Sequence, residues 1–92
     1  MTGICAYNDE VALAVLSGAQ HQGLAVPEDL AVIGADNIPA AAVATPALTT
    51  VQPDMPALSR YIADTITRKL SGRPPPRRPG SDIHSVVRRD SG

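Results

Sequence analysis

Two pairs of polar residues stand at points in the sequence where a ligand site could form. Asn8 and Asp9 follow one short apolar run, and Asp36 and Asn37 follow another. An amide beside a carboxylate can donate to and accept from adjacent hydroxyl groups, which is the chemistry of a sugar or nucleoside ligand. Alternatively, Asn8 and Asp36 only cap the helices that follow them, since short polar side chains are preferred at that position. The residues alone leave both interpretations open.

Catalytic interpretations find little support. His21 and His84 lie far apart in the sequence and have different neighbours. Gly18 and Gly23 have the first spacing of a phosphate-binding loop, but residues 24–25 are Leu-Ala where that loop requires Lys and then Ser or Thr. The sequence also lacks the Gly-x-Ser-x-Gly pattern of a nucleophile elbow. We therefore expect no enzyme activity.

The cysteine content limits the sites further. Cys5 is the single cysteine, so neither a disulfide nor a cysteine metal site can form within the chain. Its neighbours Ile4 and Ala6 are apolar, which predicts a buried, unreactive thiol. We expect no metal site and no cofactor.

Two predicted strands and the helix between them must position the polar pairs. Residues 3–7 and 30–34 are apolar runs typical of strands buried on both faces of a parallel sheet. Residues 11–19 form a helix that Asn8 or Asp9 caps. Strand, helix and strand in this order predict a right-handed βαβ unit. Both polar pairs then lie beyond the carboxyl ends of the strands, where open α/β sheets bind ligands.

The rest of the chain continues the α/β pattern. After a small-residue helix ending near Val43, residues 48–51 form a third strand, and Asp54 caps an amphipathic helix that ends at Leu70. A Pro-rich loop over residues 73–80 leads to a last strand over 83–88 and a tail over 90–92. The apolar face of the amphipathic helix comprises Leu58, Tyr61, Ile62, Thr65, Ile66 and Leu70.

Composition predicts one small domain with a thin core. The chain has 92 residues, no Phe or Trp and two tyrosines, so its core must be built from small aliphatic side chains that bury little area. We expect a partner chain or further sequence to complete it. The first predicted helix supports this expectation, because it is apolar on more than one face and must be covered on more than one face.

Charge and hydropathy indicate a cytoplasmic chain without membrane contact. The net charge is −1, but all eight basic residues lie in residues 55–92. Five of the eight lie at a helix end or in the Pro-rich loop, which favours a solvated surface over a nucleic-acid contact. The sequence shows neither a signal-peptide pattern nor an apolar run of membrane-spanning length.

Four stretches together resemble the LacI/GalR (lactose-repressor and galactose-repressor) family of bacterial transcription regulators. Residues 6–16, AYNDEVALAVL, resemble the family pattern ANDxxALGxL. Residues 23–39, GLAVPEDLAVIGADNIP, resemble GLxVPEDVxVVGFDDIP. Residues 46–51, PALTTV, are similar to PPLTTV, and residues 86–91, VVRRDS, are similar to LVVRES. The stretches occur in the family's order and with compatible spacing.

The resemblance implies a partial fold of the periplasmic-binding-protein type, in which two subdomains enclose the effector. Residues 1–51 would end the C-terminal subdomain, and the helix over 54–70 would belong to the N-terminal subdomain. The family's effector-contacting Asn and Asp fall on Asn8 and Asp36. Its dimer surface falls on Val11, Val15, Ala19 and Ile38.

Three positions depart from the family pattern. Ala35 stands where an aromatic residue is common, Asn37 replaces a second Asp, and Pro53 replaces a polar residue able to face the ligand. A smaller residue at position 35 would enlarge the pocket or leave it incomplete. Because proline has no polar side chain to face the ligand, we assign no ligand contact to Pro53.

The resemblance implies that residues 1–92 are the C-terminal fragment of an effector-binding domain whose DNA-binding helix-turn-helix is absent. Its function would be to sense a small-molecule effector of the carbohydrate class and to form a homodimer in a transcriptional repressor, with DNA contacted only through the absent N-terminal domain. A fragment of a transport-type sugar-binding protein and a remnant without independent activity are the alternatives. We expect the chain alone to bind sugar weakly or not at all.

Overall fold

A computed structural model of the chain describes residues 2–80 and 83–92. Across these residues the order of elements is β1 (Gly3–Cys5), α1 (Asp9–His21), β2 (Ala31–Ala35), α2 (Pro39–Val43), β3 (Thr49–Pro53), α3 (Met55–Leu70) and β4 (His84–Val87). The strands form one sheet in the order β1-β2-β3-β4, and β2 pairs in parallel with both β1 and β3. The predicted α/β class with a parallel sheet is confirmed.

The chain divides into two compact units, Met1–Gln52 with Val86–Gly92, and Pro53–Ser85. In the first unit, α1 packs on the sheet through residues spaced at helical intervals. The core cluster of this unit is small and aliphatic, consisting of Ala12, Ala19, Leu30, Val32, Ala41 and Leu48. Three of its six members are alanines, as the composition predicts.

The first strand differs from its prediction. β1 has three residues rather than five, and its Ile4 packs against the core while Cys5 is exposed. The predicted buried thiol is therefore wrong. The reason is that β1 is an edge strand and successive side chains point to opposite faces, so Cys5 lies on the face that Ile4 does not share.

The last residues are a structural part of the sheet rather than a tail. Ser91 is fully buried, and its hydroxyl donates to the Val32 carbonyl oxygen (2.6 Å) and accepts from the Thr49 amide (2.8 Å). The Val32 amide in turn donates to the Ser91 carbonyl oxygen (2.8 Å). Ser91 thus joins β2 to β3 near the start of both strands.

The second unit is built on α3. Asp54 caps this helix, since its Oδ1 accepts from the Ala57 amide (3.0 Å), and Gly72 follows the C-cap with a φ of 70°. Leu58, Tyr61 and Thr65 are half-buried, whereas the other predicted apolar-face residues, Ile62, Ile66 and Leu70, are exposed. In the part of the chain that the structure describes, no helix combines the length and the apolarity needed to cross a membrane.

Candidate functional site

Asn8 lies between β1 and α1 and caps the helix. Its backbone is extended (φ −154°), and its Oδ1 accepts from the Val11 amide (2.9 Å). The capping interpretation is therefore confirmed for Asn8. The cap uses only the oxygen of the side chain, and no hydrogen bond within the described residues engages Nδ2. The amide group can still donate to a ligand hydroxyl.

Asp36 does not act as a helix cap. It directly follows β2, and the N-cap of α2 is Ile38, which forms no side-chain cap. The Asp36 amide donates to the Val51 carbonyl oxygen (2.8 Å), while its side chain is exposed and has no hydrogen-bond partner among residues 2–80 and 83–92. Its carboxylate oxygens are free to accept from a ligand.

The topology brings these two residues to the same edge of the sheet. β1 and β2 are parallel neighbours, with Cys5 opposite Ile33, and the Ala6 amide continues the ladder by donating to the Ile33 carbonyl oxygen (2.8 Å). Asn8 and Asp36 both follow the carboxyl ends of these strands. An amide donor and a carboxylate acceptor at one edge can serve neighbouring hydroxyl groups.

Asp9 has a role that the sequence does not reveal. The pattern presents it as one of a polar pair and as a possible helix cap, yet Asp9 is fully buried and accepts two hydrogen bonds from distant segments. The Thr50 hydroxyl donates to Oδ1 (2.6 Å), and the Ile38 amide donates to Oδ2 (2.8 Å). These contacts hold the loop after β2 and the strand β3 against the start of α1.

Asn37 is structural rather than available to a ligand. Its Nδ2 donates to Gln52 Oε1, and its Oδ1 accepts from an Arg89 Nη (3.0 Å). The other Arg89 Nη donates to the Leu48 carbonyl oxygen (3.0 Å). The partners of Asn37 and Arg89 are separated by many residues, so local sequence patterns gave no signal for these contacts.

The four residues expected at a dimer surface differ in exposure. Val11 is exposed, Val15 and Ile38 are half-buried, and Ala19 is buried in the core cluster. Ala19 therefore has little surface to offer a partner. Of the four residues, Val11 has the largest exposed fraction.

Other chemistry is sparse in the described residues. No group of three His, Cys, Asp or Glu side chains there could hold a metal ion. His21 is exposed, and its Nδ1 lies 3.2 Å from the Ser17 carbonyl oxygen in the preceding turn of α1. A groove of about 530 Å³ along α3 and the Pro-rich loop contains neither Asn8 nor Asp36.

Comparisons with known proteins agree with this architecture. The family model described as periplasmic binding protein-like domain matches residues 1–92. The chain is 34% identical over 90 residues to the HTH-type transcriptional repressor PurR of Aliivibrio fischeri, covering 98% of this chain and 27% of the repressor. It spans only about a quarter of the length of the curated regulators that it matches.

Solved structures show the same similarity. A LacI family transcriptional regulator from Mycobacterium smegmatis superposes with a TM-score of 0.84 at 28% identity, covering 99% of this chain and 33% of that one. A LacI family regulator from Arthrobacter sp. FB24 in complex with lactose gives a TM-score of 0.77 at 34% identity, covering 99% of this chain and 35% of that one.

Proposed function

The chain belongs to the periplasmic binding protein-like family and resembles the C-terminal part of its LacI-type regulators, and from this we propose that it is the effector-sensing and dimerisation portion of a transcriptional repressor. The effector is a carbohydrate. The repressor acts in the cytoplasm, where its operator DNA lies, and DNA is contacted by a domain outside this sequence.

The observation that carries the proposal is the edge formed by Asn8 and Asp36. The unused Asn8 amide and the exposed Asp36 carboxylate lie beyond neighbouring parallel strands and suit adjacent hydroxyl groups. The lactose complex of the Arthrobacter regulator supports a sugar as the ligand class.

The mechanism requires a second wall to the cleft. In a two-subdomain sensor the effector shifts the equilibrium only if it binds one arrangement better than the other. Asn8 and Asp36 supply hydroxyl contacts from one side. The 92-residue chain alone is therefore expected to bind sugars weakly or not at all.

A sugar titration tests the site. Saturation-transfer NMR with lactose, glucose and ribose is expected to show contact in the millimolar range or weaker, and Asp36→Asn is expected to reduce it because a carboxylate acceptor is lost. Glu28→Gln, which alters an exposed carboxylate in the turn before β2, is the matched control. Tight binding by the isolated chain, or equal effects of the two variants, would contradict the proposal.

Two other functions remain as alternatives, and the gene separates them. A transport-type sugar-binding protein would carry a secretion signal upstream, whereas a repressor would carry an in-frame helix-turn-helix. Reading the DNA before the codon for Met1 decides between them. If the upstream DNA encodes neither feature, the chain is a remnant without independent activity.

A further inference from the structure

The conformation of residues 36–38 is fixed by contacts that converge from β3 and α1. Asp36 and Asn37 both have positive φ, 102° and 58°, in the left-handed region that favours glycine. Neither residue is a glycine, so the surrounding structure must hold them there.

Three consecutive amides account for that restraint. The Asp36 amide donates to the Val51 carbonyl oxygen, and the Asn37 amide donates to Thr50 Oγ1 (3.3 Å). The Ile38 amide donates to Asp9 Oδ2, and the Thr50 hydroxyl donates to Asp9 Oδ1. Two of the three amides therefore depend on Asp9, one directly and one through Thr50.

The Asp9 carboxylate lies against Gly34, where the absence of a side chain leaves room for it. Gly34 precedes the turn, and a Cβ atom there would overlap Asp9 Oδ1 and lie 3.1 Å from Leu48 Cδ2. In the described residues, no salt bridge pairs the fully buried Asp9 with a cation. Its burial is compensated by hydrogen bonds from the turn and from β3, since an unpaired buried charge is otherwise strongly disfavoured.

The geometry points to Asp9 as the positioning residue for the effector-contacting carboxylate of Asp36. Asp9 itself is buried and does not reach a ligand. It acts by holding the turn that presents Asp36 at the edge of the sheet. This role rests on the proposed function for its ligand, a polyhydroxylated sugar, but the conformation of the turn can be measured without any ligand.

The test compares the turn in variants of the ¹⁵N,¹³C-labelled 92-residue chain. One-bond Cα–Hα couplings distinguish positive from negative φ at residues 36 and 37, and amide exchange reports the Asn37 and Ile38 hydrogen bonds. Asp9→Asn keeps one acceptor oxygen but replaces the other with a donor, so the Ile38 amide and the Thr50 hydroxyl can no longer both donate to residue 9. We expect the couplings to move toward negative φ and exchange at residue 38 to accelerate.

Thr50→Val and Thr50→Ser provide the second arm, which decides the outcome if Asp9→Asn does not fold. Valine removes the hydroxyl that links Asn37 to Asp9, whereas serine retains it. We expect Thr50→Val to disturb the couplings and Thr50→Ser to leave them as in the wild type. Wild-type couplings at residues 36 and 37 in Asp9→Asn and Thr50→Val, or in Thr50→Val alone if Asp9→Asn does not fold, would overturn the positioning role.

Lactose binding, followed by saturation transfer, adds a functional readout. The apparent affinity falls in proportion to the population of the competent turn, so a turn populated one-tenth of the time lowers it about tenfold. Because the chain alone is expected to bind sugars weakly or not at all, a wild-type chain that does not contact lactose, glucose or ribose leaves the proposed function standing. The couplings alone then decide the role of Asp9.

Discussion

Adjacent residues in the turn after β2 have opposite roles. The Asp36 side chain is exposed and makes no hydrogen bond to the described residues, whereas both ends of the Asn37 amide are engaged. Both residues have positive φ, and the difference lies in their neighbours, because Gln52 and Arg89 are within hydrogen-bond distance of Asn37. The pair is therefore one candidate ligand residue and one structural residue.

Arg89 gives the sharpest prediction at the scale of single residues. Its guanidinium is half-buried and donates to Asn37 and to the Leu48 carbonyl oxygen. Arg89→Ala is expected to lower the free energy of unfolding by about 1–3 kcal/mol, because two hydrogen bonds from a charged group are lost. Urea denaturation followed by circular dichroism measures the change.

The neighbouring Arg88→Ala is the matched control. Arg88 is exposed and donates no side-chain hydrogen bond within the described part of the chain, so its loss is expected to change stability by less than about 0.5 kcal/mol. Equal destabilisation by the two variants would show that the contacts of Arg89 contribute nothing specific.

The sequence predicts the positions of Asn8 and Asp36 at one edge of the sheet, but not the contacts that hold the turn after β2. Asn8 and Asp36 follow apolar runs, so the topology of parallel strands suffices to place them at one edge. The contacts of Asp9 and Arg89 cannot be predicted from local patterns, because their partners, Ile38, Thr50 and Asn37, lie 29 to 52 residues away. Only the folded chain brings these groups together.

The bounds of a helix can be predicted closely where capping residues mark both of its ends. Asp54 caps α3, Pro56 occupies its first turn, and Gly72 follows its end, so the predicted and observed bounds of this helix nearly coincide. Exposure was predicted less well, because periodicity identifies an apolar face without identifying what covers it. Cys5 on β1 shows the same limit.

The junction of β2 and β3 yields a prediction at the scale of elements. Ser91→Ala removes the hydroxyl that donates to the Val32 carbonyl oxygen and accepts from the Thr49 amide. We expect a loss of about 1–3 kcal/mol in unfolding free energy, because a buried amide is left without its acceptor. Faster hydrogen exchange at the Thr49 amide would locate the effect.

A second serine serves as the comparison for this variant. Ser85 lies in β4, is exposed and makes no side-chain hydrogen bond to the described residues. Ser85→Ala should therefore leave both the unfolding free energy and the exchange of Thr49 unchanged. If Ser91→Ala behaves in the same way, the joining role of Ser91 is wrong.

For the whole molecule, the proposed dimer is the testable property. Val11 is 44% exposed on α1, beside the half-buried Val15, and the proposed partner surface includes both. Sedimentation velocity is expected to show concentration-dependent dimerisation of the wild type that Val11→Asp abolishes, since a buried unpaired charge opposes association.

Leu24→Asp controls for the introduction of a charge at an exposed apolar position. Leu24 is 42% exposed and lies in the loop after α1, outside the proposed surface. This variant should dimerise like the wild type. A wild-type chain that is folded and monomeric at every concentration would refute the dimer surface.

The Ser91 contacts also constrain the order in which the chain can fold. Ser91 and Val32 are 59 residues apart, and closing so long a loop costs entropy before any contact compensates for it. On the ribosome, β2 and β3 emerge well before Ser91, which connects Val32 of β2 to Thr49 of β3 by hydrogen bonds. Nascent chains stalled before residue 91 should therefore show a βαβ unit in which the amides of Val32 and Thr49, the two that Ser91 accepts from, still exchange freely with water.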